Sequence, residues 1–183
     1  MYPVIRLAWQ LWRHRNDPPL PLTGTHVSHH LCLPWDIDLW RELNNGRTLT
    51  LYDLGRIPLA GRVGLIGVLR RQRWGLAIAG ASVRYRRRVR MFDRIEMRSR
   101  LVTWDARFMY LEQSMWRRDG ECASHILYRA AVTGKDGIVP PDRVLEALGR
   151  SGHAAPPAPE WVEAWARADA ARPWPPMQDG GQE

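Results

Sequence analysis

Two carboxylates set one residue apart, Asp36 and Asp38, close an apolar run, and the amide pair Asn44–Asn45 follows shortly after. Asparagine is a favoured helix N-cap because its side-chain oxygen accepts an otherwise orphaned backbone N–H. Leucines at Leu49, Leu51 and Leu54 come next, so a helix is expected to open beside the acidic loop. A helix N-terminus carries a partial positive charge and free N–H donors. A carboxylate beside it stays ionised, and a carbonyl oxygen lodged there is polarised. That pairing can do hydrolytic work. The plainer role of an Asp or Asn ahead of a helix is capping alone. Here Trp35, Ile37, Leu39, Trp40 and Leu43 interleave with the acids and amides, which sets carboxylates against apolar walls, where pKa values shift.

A second group of residues is basic. Arg84, Arg86 and Arg88 alternate along an expected strand, with Arg98 and Arg100 on the next. One strand face of guanidinium groups can meet phosphates; the same row can also be a solvated face that resists edge pairing. A third group, His26, Ser28, His30 and Cys32, shares one face of an expected first strand. Same-face neighbours do not supply the closed ligand set of a structural zinc site, so no metal is expected.

Of the 27 basic residues only Lys135 is lysine, and the formal net charge is +8. The balance favours anionic partners. No base-reading module accompanies it, which argues against nucleic acid. The chain also lacks a Walker loop, a dinucleotide fingerprint and a G-x-S-x-G elbow. Cys32 and Cys122 make no disulfide framework, and no run approaches the ~20 apolar residues of a membrane span. A cytoplasmic protein is the expectation.

The elements that would position these groups read as follows. Residues 4–14 project as a short basic amphipathic helix bearing Trp9 and Trp12, suited either to packing on its own domain or to lying on a membrane surface. Asp17 to Pro21 is a stiff linker. A strand over 25–33 leads to the acidic loop, then a helix from Asn45 to Arg56, with a break or kink at Ile57–Pro58 and a second helix over 60–72. Strands are expected over 76–89, 94–104, 107–116 and 122–132. Consecutive antiparallel strands after a helix imply an α+β layout, a curved sheet wrapped on one buried helix. Short helices over 141–148 and 160–171 follow, with an Ala/Pro linker between them and a flexible tail after. The division expected is 1–22, an N-terminal helix and linker; 23–149, the main domain; and 150–183, linker, helix and tail.

The segment PWDIDLWRELNNGRTLTLYDLGR, with RYRRRVRMFDRIEMRSRLVTWDARFMYLEQ further on, resembles the hot-dog fold thioesterases of the hydroxybenzoyl-CoA thioesterase superfamily, over roughly residues 23–144. It is most similar to acyl-CoA thioesterases of bacteria and to the eukaryotic branch called thioesterase superfamily member six. Their signature D-x-D-x-x-x-H-x-N-N-x-x-Y is met at Asp36, Asp38, Asn44 and Asn45, with Glu42 in the histidine position and Thr48 in the tyrosine position. Trp40 stands where plant acyl-carrier-protein thioesterases have asparagine. The resemblance implies the hot-dog α+β fold, a homodimer or higher homo-oligomer, an acyl-CoA substrate and no cofactor. It also implies an acid that activates water or attacks the thioester carbonyl, with Asp38 preferred over Asp36 and Glu42 a further candidate. Asn44 and Asn45 would order the loop, N–H groups of Asn45 and Gly46 would steady the oxyanion, and Arg84, Arg86, Arg88 and Arg98 would meet CoA phosphates. The departures at Glu42, Trp40 and Thr48 leave a rival reading, a non-catalytic acyl-thioester-binding or scaffolding protein; either reading is compatible with peripheral membrane contact through residues 1–14.

Overall fold

The structure, a computed structural model, describes residues 2–177. Twelve elements follow in chain order. They are α1 (Val4–Arg13), β1 (His26–Leu31), a 3-10 turn (Pro34–Asp36), α2 (Asn45–Arg62), α3 (Leu65–Gln72), β2 (Gly75–Tyr85), β3 (Arg94–Trp104), β4 (Met109–Arg117), β5 (Cys122–Gly134), β6 (Gly137–Val139), α4 (Pro141–Ala147) and α5 (Glu160–Ala170). The sheet is antiparallel in the order β1-β3-β4-β5-β2, with β6 paired to β5. One face wraps α2: Leu51, Tyr52 and Leu54 bury against Ile95, Met97, Met115 and Ile126. This is the hot-dog α+β arrangement expected from the sequence.

Three boundaries differ from expectation. The central helix does not break at Pro58, which lies buried inside α2 together with Leu54, Leu59 and Ala60. Packing against the sheet holds the helix line across the residue that cannot donate an N–H. The break falls at Gly64, whose φ of +89° suits glycine. Strand β2 stops at Tyr85 rather than Val89, because the N–H groups of Arg86 and Arg87 both turn onto the carbonyl of Ala123 (2.8 and 3.1 Å). Strand β6 was unforeseen; the turn after Gly134 is tight enough for three residues to fold back onto β5. The tail expected to be flexible lies outside the described residues beyond Met177.

Helix α2 approaches the sheet most closely at Gly55. A Cβ there would stand 2.6 Å from Met97 Sδ and 2.7 Å from Ser99 Oγ. Just beside it, buried Gln113 donates to the carbonyl of Tyr52 (2.9 Å) and to Ser99 Oγ (2.7 Å), tying sheet to helix backbone. Gly55→Ala should therefore lower stability by about 1–3 kcal/mol, read as a shift in the urea midpoint. An unchanged midpoint would mean that the helix can stand further off the sheet.

The two edges of the sheet are treated differently. Along β1, α1 supplies the missing partners: Arg6 Nη2 donates to the carbonyl of Leu31 (2.7 Å) and Gln10 Nε2 to that of His29 (3.4 Å). Helix α1 thus packs on its own domain by its polar side. Along β2 the free edge carries eleven mostly exposed residues, with no charge between Gly75 and Val83. The opposite, convex face of the sheet is partly covered by α5, whose Val162 packs with Tyr110 and Leu127 and whose Asp169 pairs with Arg129 at 2.6 Å.

Candidate active site

The acidic loop is a small folded unit. Residues Ile37 and Leu43 bridge across it, and the N–H of Asn44 donates to the carbonyl of Asp36 (2.9 Å). Asp36 sits at its base, 0% exposed. Its carboxylate accepts from Arg6 Nη1 at 2.7 Å, from Arg47 Nη2 at 2.8 Å and from the N–H of Leu33 at 3.0 Å. Burial by itself would raise its pKa; the donors from Arg47, Leu33 and Arg6 outweigh that and hold it below the ordinary carboxylate value. Asp36 is consequently an anchor joining α1, the loop and α2. Asp38 lies at the loop's bend, where Oδ1 accepts from the N–H of Trp40 (2.9 Å) and of Glu42 (3.4 Å). Its own N–H donates to the carbonyl of Glu42 (2.9 Å).

Beyond the loop α2 begins. Asn44 is its N-cap, accepting from the N–H of Arg47 at 3.1 Å. The N–H groups of Asn45 and Gly46, earlier in the same turn, have no intrahelical acceptor by the geometry of a helix start, and both residues are exposed. They face a cleft of about 190 Å³. Its walls are Glu42, Asn45 and Thr48 on one side and Arg86, Arg87 and Arg88 on the other, with Ser124 also at the lining. The arginines are there because the chain leaves β2 at Tyr85 and arches back to Val89, which is buried and accepts the N–H of Leu43 at 2.8 Å. Glu42 and Arg88 meet at 3.0 Å, with side chains 32% and 72% exposed. An ion pair so exposed is weak and easily exchanged for a ligand's charge. Arg87 pairs with Glu121 at 2.9 Å, while Arg86 has no acidic partner among the described residues.

Several candidates from the sequence are thus brought together: Glu42, Asn44, Asn45, Gly46, Arg86 and Arg88. Asp36 and Asp38 stand behind them as supports of the loop. Arg84 and Arg98 are elsewhere. The register places Arg98 opposite Ser114, Ser114 opposite His125 and His125 opposite Arg84, a single cross-strand row on the convex face. Arg98 there pairs with Glu96 at 2.7 Å and covers the Trp116 ring. Alternation along an assumed strand selected Arg84, Arg86 and Arg88 and passed over Arg87; once the strand ends, alternation no longer applies. Only the turn onto Ala123 distinguishes these arginines, and no local signal in RYRRRVR encodes it.

The histidines of β1 do not gather as one group. His30 Nε2 and Ser28 Oγ meet at 2.8 Å inside the fold, whereas His26 meets α1: its ring stands edge-on to His14, and His14 Nδ1 and Asp17 Oδ2 lie 2.6 Å apart. Oxygen and nitrogen atoms of His14, Asp17 and His26 lie within 4.8 Å of one another. The guanidinium of Arg62, however, donates to His26 Nδ1 at 3.1 Å and lies 3.6 Å from Asp17, filling with a fixed cation the place a metal would take. Burial, with the charges of His14 and Arg62, lowers the His26 pKa from 6.5 to about 4. The unfolded chain then binds more protons than the folded one between those values. Stability contributed by neutral His26 is present above pH 6.5 and falls away as the pH drops toward 4. Thermal midpoints should decline over that window, and His26→Gln should flatten the decline; an equal decline in the variant would locate the effect elsewhere.

A second, apolar cavity of about 50 Å³ lies at the far end of α2. It is lined by Leu59, Val63, Leu76, Leu101, Met109 and Leu111 among others, with Arg56 the one charged side chain at its wall. Arg56 pairs with Asp53 and covers the Tyr128 ring.

Comparison with known proteins agrees with this architecture. The family described as the thioesterase-like superfamily matches residues 32–166. The chain is 30% identical over 163 residues to Protein THEM6 of Xenopus laevis, covering 88% of this chain and 77% of that protein. Among solved structures it is similar to YbaW, a probable thioesterase of Escherichia coli (TM-score 0.63, 14% identity, 70% of this chain and 99% of that one). It is also similar to a Streptococcus mutans protein solved bound to acetyl CoA (TM-score 0.51, 13% identity, 62% of this chain and 84% of that one). Family match and fold coincide on the same residues: the chain belongs to the thioesterase-like superfamily and has its hot-dog fold.

Proposed function

We propose that the protein hydrolyses an acyl-CoA thioester to the free acid and CoA in the cleft at the start of α2. The observation that carries this reading is the meeting, in one cleft, of an uncapped helix N-terminus, the carboxylate of Glu42 and the arginines 86–88. The thioester oxygen would lie against the N–H groups of Asn45 and Gly46, which stabilise the charge that develops on it. Glu42 would take a proton from the attacking water. Asp38, bonded to both backbone polar groups of Glu42, is the positioning residue of that acid. Arg86 and Arg88 would hold CoA phosphates, and binding there would draw Arg88 away from Glu42.

The free edge of β2 supports a homodimer, since a long, uncharged edge strand is a template for pairing. Two β2 strands joined antiparallel about Gly80 would set Leu76 of one copy opposite Arg84 of the other. The apolar cavity of each copy would then approach the arginine-lined cleft of its partner, giving an acyl chain an apolar path. The test is thiol release from short, medium, long and aromatic acyl-CoAs, alongside the solution mass. Turnover by a dimer supports the reading. Saturable acyl-CoA binding without turnover would favour the binding-protein alternative that Glu42, Trp40 and Thr48 suggest.

A further inference from the structure

Helix α1 is mounted with its apolar side outward. Its polar side chains are consumed by the domain: Arg6 holds Asp36 and the Leu31 carbonyl, and Gln10 reaches His29 and is buried. Just beyond the helix, His14 joins the Asp17 cluster. What remains in solvent is Ile5 at 87% exposure, Trp12 at 54% and Trp9 at 52%, together with Val4 and Leu11. The rings of Trp9 and Trp12 stack at 4.9 Å. Trp35, also exposed, neighbours Asp36, the residue on which Arg6 is anchored. No helix among the described residues is long and apolar enough to cross a membrane.

The charge around this patch has one sign. Residues 2–16 contain no acid. Arg13 and Arg15 flank the tryptophans at the helix's end, and Arg15 lies over the Trp12 ring at 4.4 Å. Neither arginine is paired with an acid among the described residues. A two-fold contact with a second copy would bring these arginines toward one another, because an isologous interface apposes the same patch. An anionic lipid surface meets both features: phosphates for the arginines, and an interfacial layer that favours tryptophan. We infer that α1 docks the protein flat onto an anionic lipid bilayer through Ile5, Trp9 and Trp12, with Arg13 and Arg15 on the headgroups. The helix needs no folding on contact, because its polar side already fixes it to the sheet edge.

Deleting α1 would uncap β1, so the test uses substitutions in the full chain. The wild type is floated with phosphatidylcholine vesicles and with phosphatidylcholine–phosphatidylglycerol vesicles. It is compared with a Trp9→Glu/Trp12→Glu variant and an Arg13→Glu/Arg15→Glu variant. All four side chains point to solvent, so thermal midpoints should be unchanged. The expected result is wild-type flotation that is stronger on the anionic vesicles. The tryptophan variant should lose binding by about tenfold or more, and the arginine variant should lose the preference for anionic lipid. Absence of flotation, or flotation equal in the tryptophan variant, overturns the inference. A fall in solution mass of that variant, without vesicle binding by the wild type, would assign the face to a second copy instead.

Discussion

Glu42→Gln should lower kcat for acyl-CoA hydrolysis by about 10²–10⁴-fold, the range for loss of a positioned general base, with little change in KM. The amide keeps the shape of the side chain and can still meet Arg88, but it cannot take a proton. Asp38→Asn should cost less, since an amide oxygen can still accept from the N–H groups of Trp40 and Glu42 that the carboxylate now holds. The two variants are to be compared over a pH series, with the thermal midpoint as a control on folding. A basic-limb pH dependence that persists in Asp38→Asn and disappears in Glu42→Gln assigns the base. The opposite order, with Asp38→Asn the more damaging, would return the carboxylate role to Asp38. Equal, small effects in both would remove general-base catalysis by this loop.

Asp36→Ala should be the most destabilising single change in the loop, by about 3 kcal/mol, the scale for removing one partner from a buried ion pair. Two guanidinium groups, Arg6 and Arg47, would lose their common carboxylate, and their side chains are only 18% and 19% exposed. The N–H of Leu33 would lose its acceptor as well. Because α1, the loop and α2 all meet at this carboxylate, the loss should appear in the urea midpoint and as raised protease sensitivity near Arg6. The linkage has a definite sign: the Asp36 pKa lies below its unfolded value, so its contribution is full above about pH 4 and fades as the pH falls through the folded value. Asp36→Ala should therefore unfold with a shallower acid dependence than the wild type. A midpoint within ~0.5 kcal/mol of wild type would show that solvent replaces the carboxylate without cost.

The two outcomes bear on one another. Asp36 and Asp38 look alike as letters, one residue apart, yet one is sealed beneath two arginines and the other bends a loop at the surface. Spacing alone could not separate them. Burial and partners come from α1 and α2, which lie on either side of the loop in sequence and converge on it only after folding. Arg6 in particular is thirty residues from Asp36 along the chain, and nothing local ties the two together.

Much of the frame was legible from local pattern. Alternation in β3 and β4, the Asn44 cap, the first-turn proline of α4 and the small antiparallel sheet around one helix all follow from periods of 2 and 3.6 residues and from capping chemistry. The motif at residues 36–45 located the cleft, because a carboxylate loop and a helix start are contiguous in sequence. The features that were not legible depend on contacts distant in sequence. Pro58 stays helical because the sheet packs against both sides of it, and β2 ends because one carbonyl, that of Ala123, captures two successive N–H groups. Helix α1 was read correctly as amphipathic, but its hydrophobic pattern could not say which side faces inward. The bare edge of β1 required hydrogen-bond donors, and that demand turned the polar side in. The sequence by itself determined the elements, the fold class and the neighbourhood of the site. Tertiary structure alone decided which acid is buried, which arginines reach the cleft and which face of α1 meets solvent, since each is set by partners that only the folded sheet brings within hydrogen-bond reach.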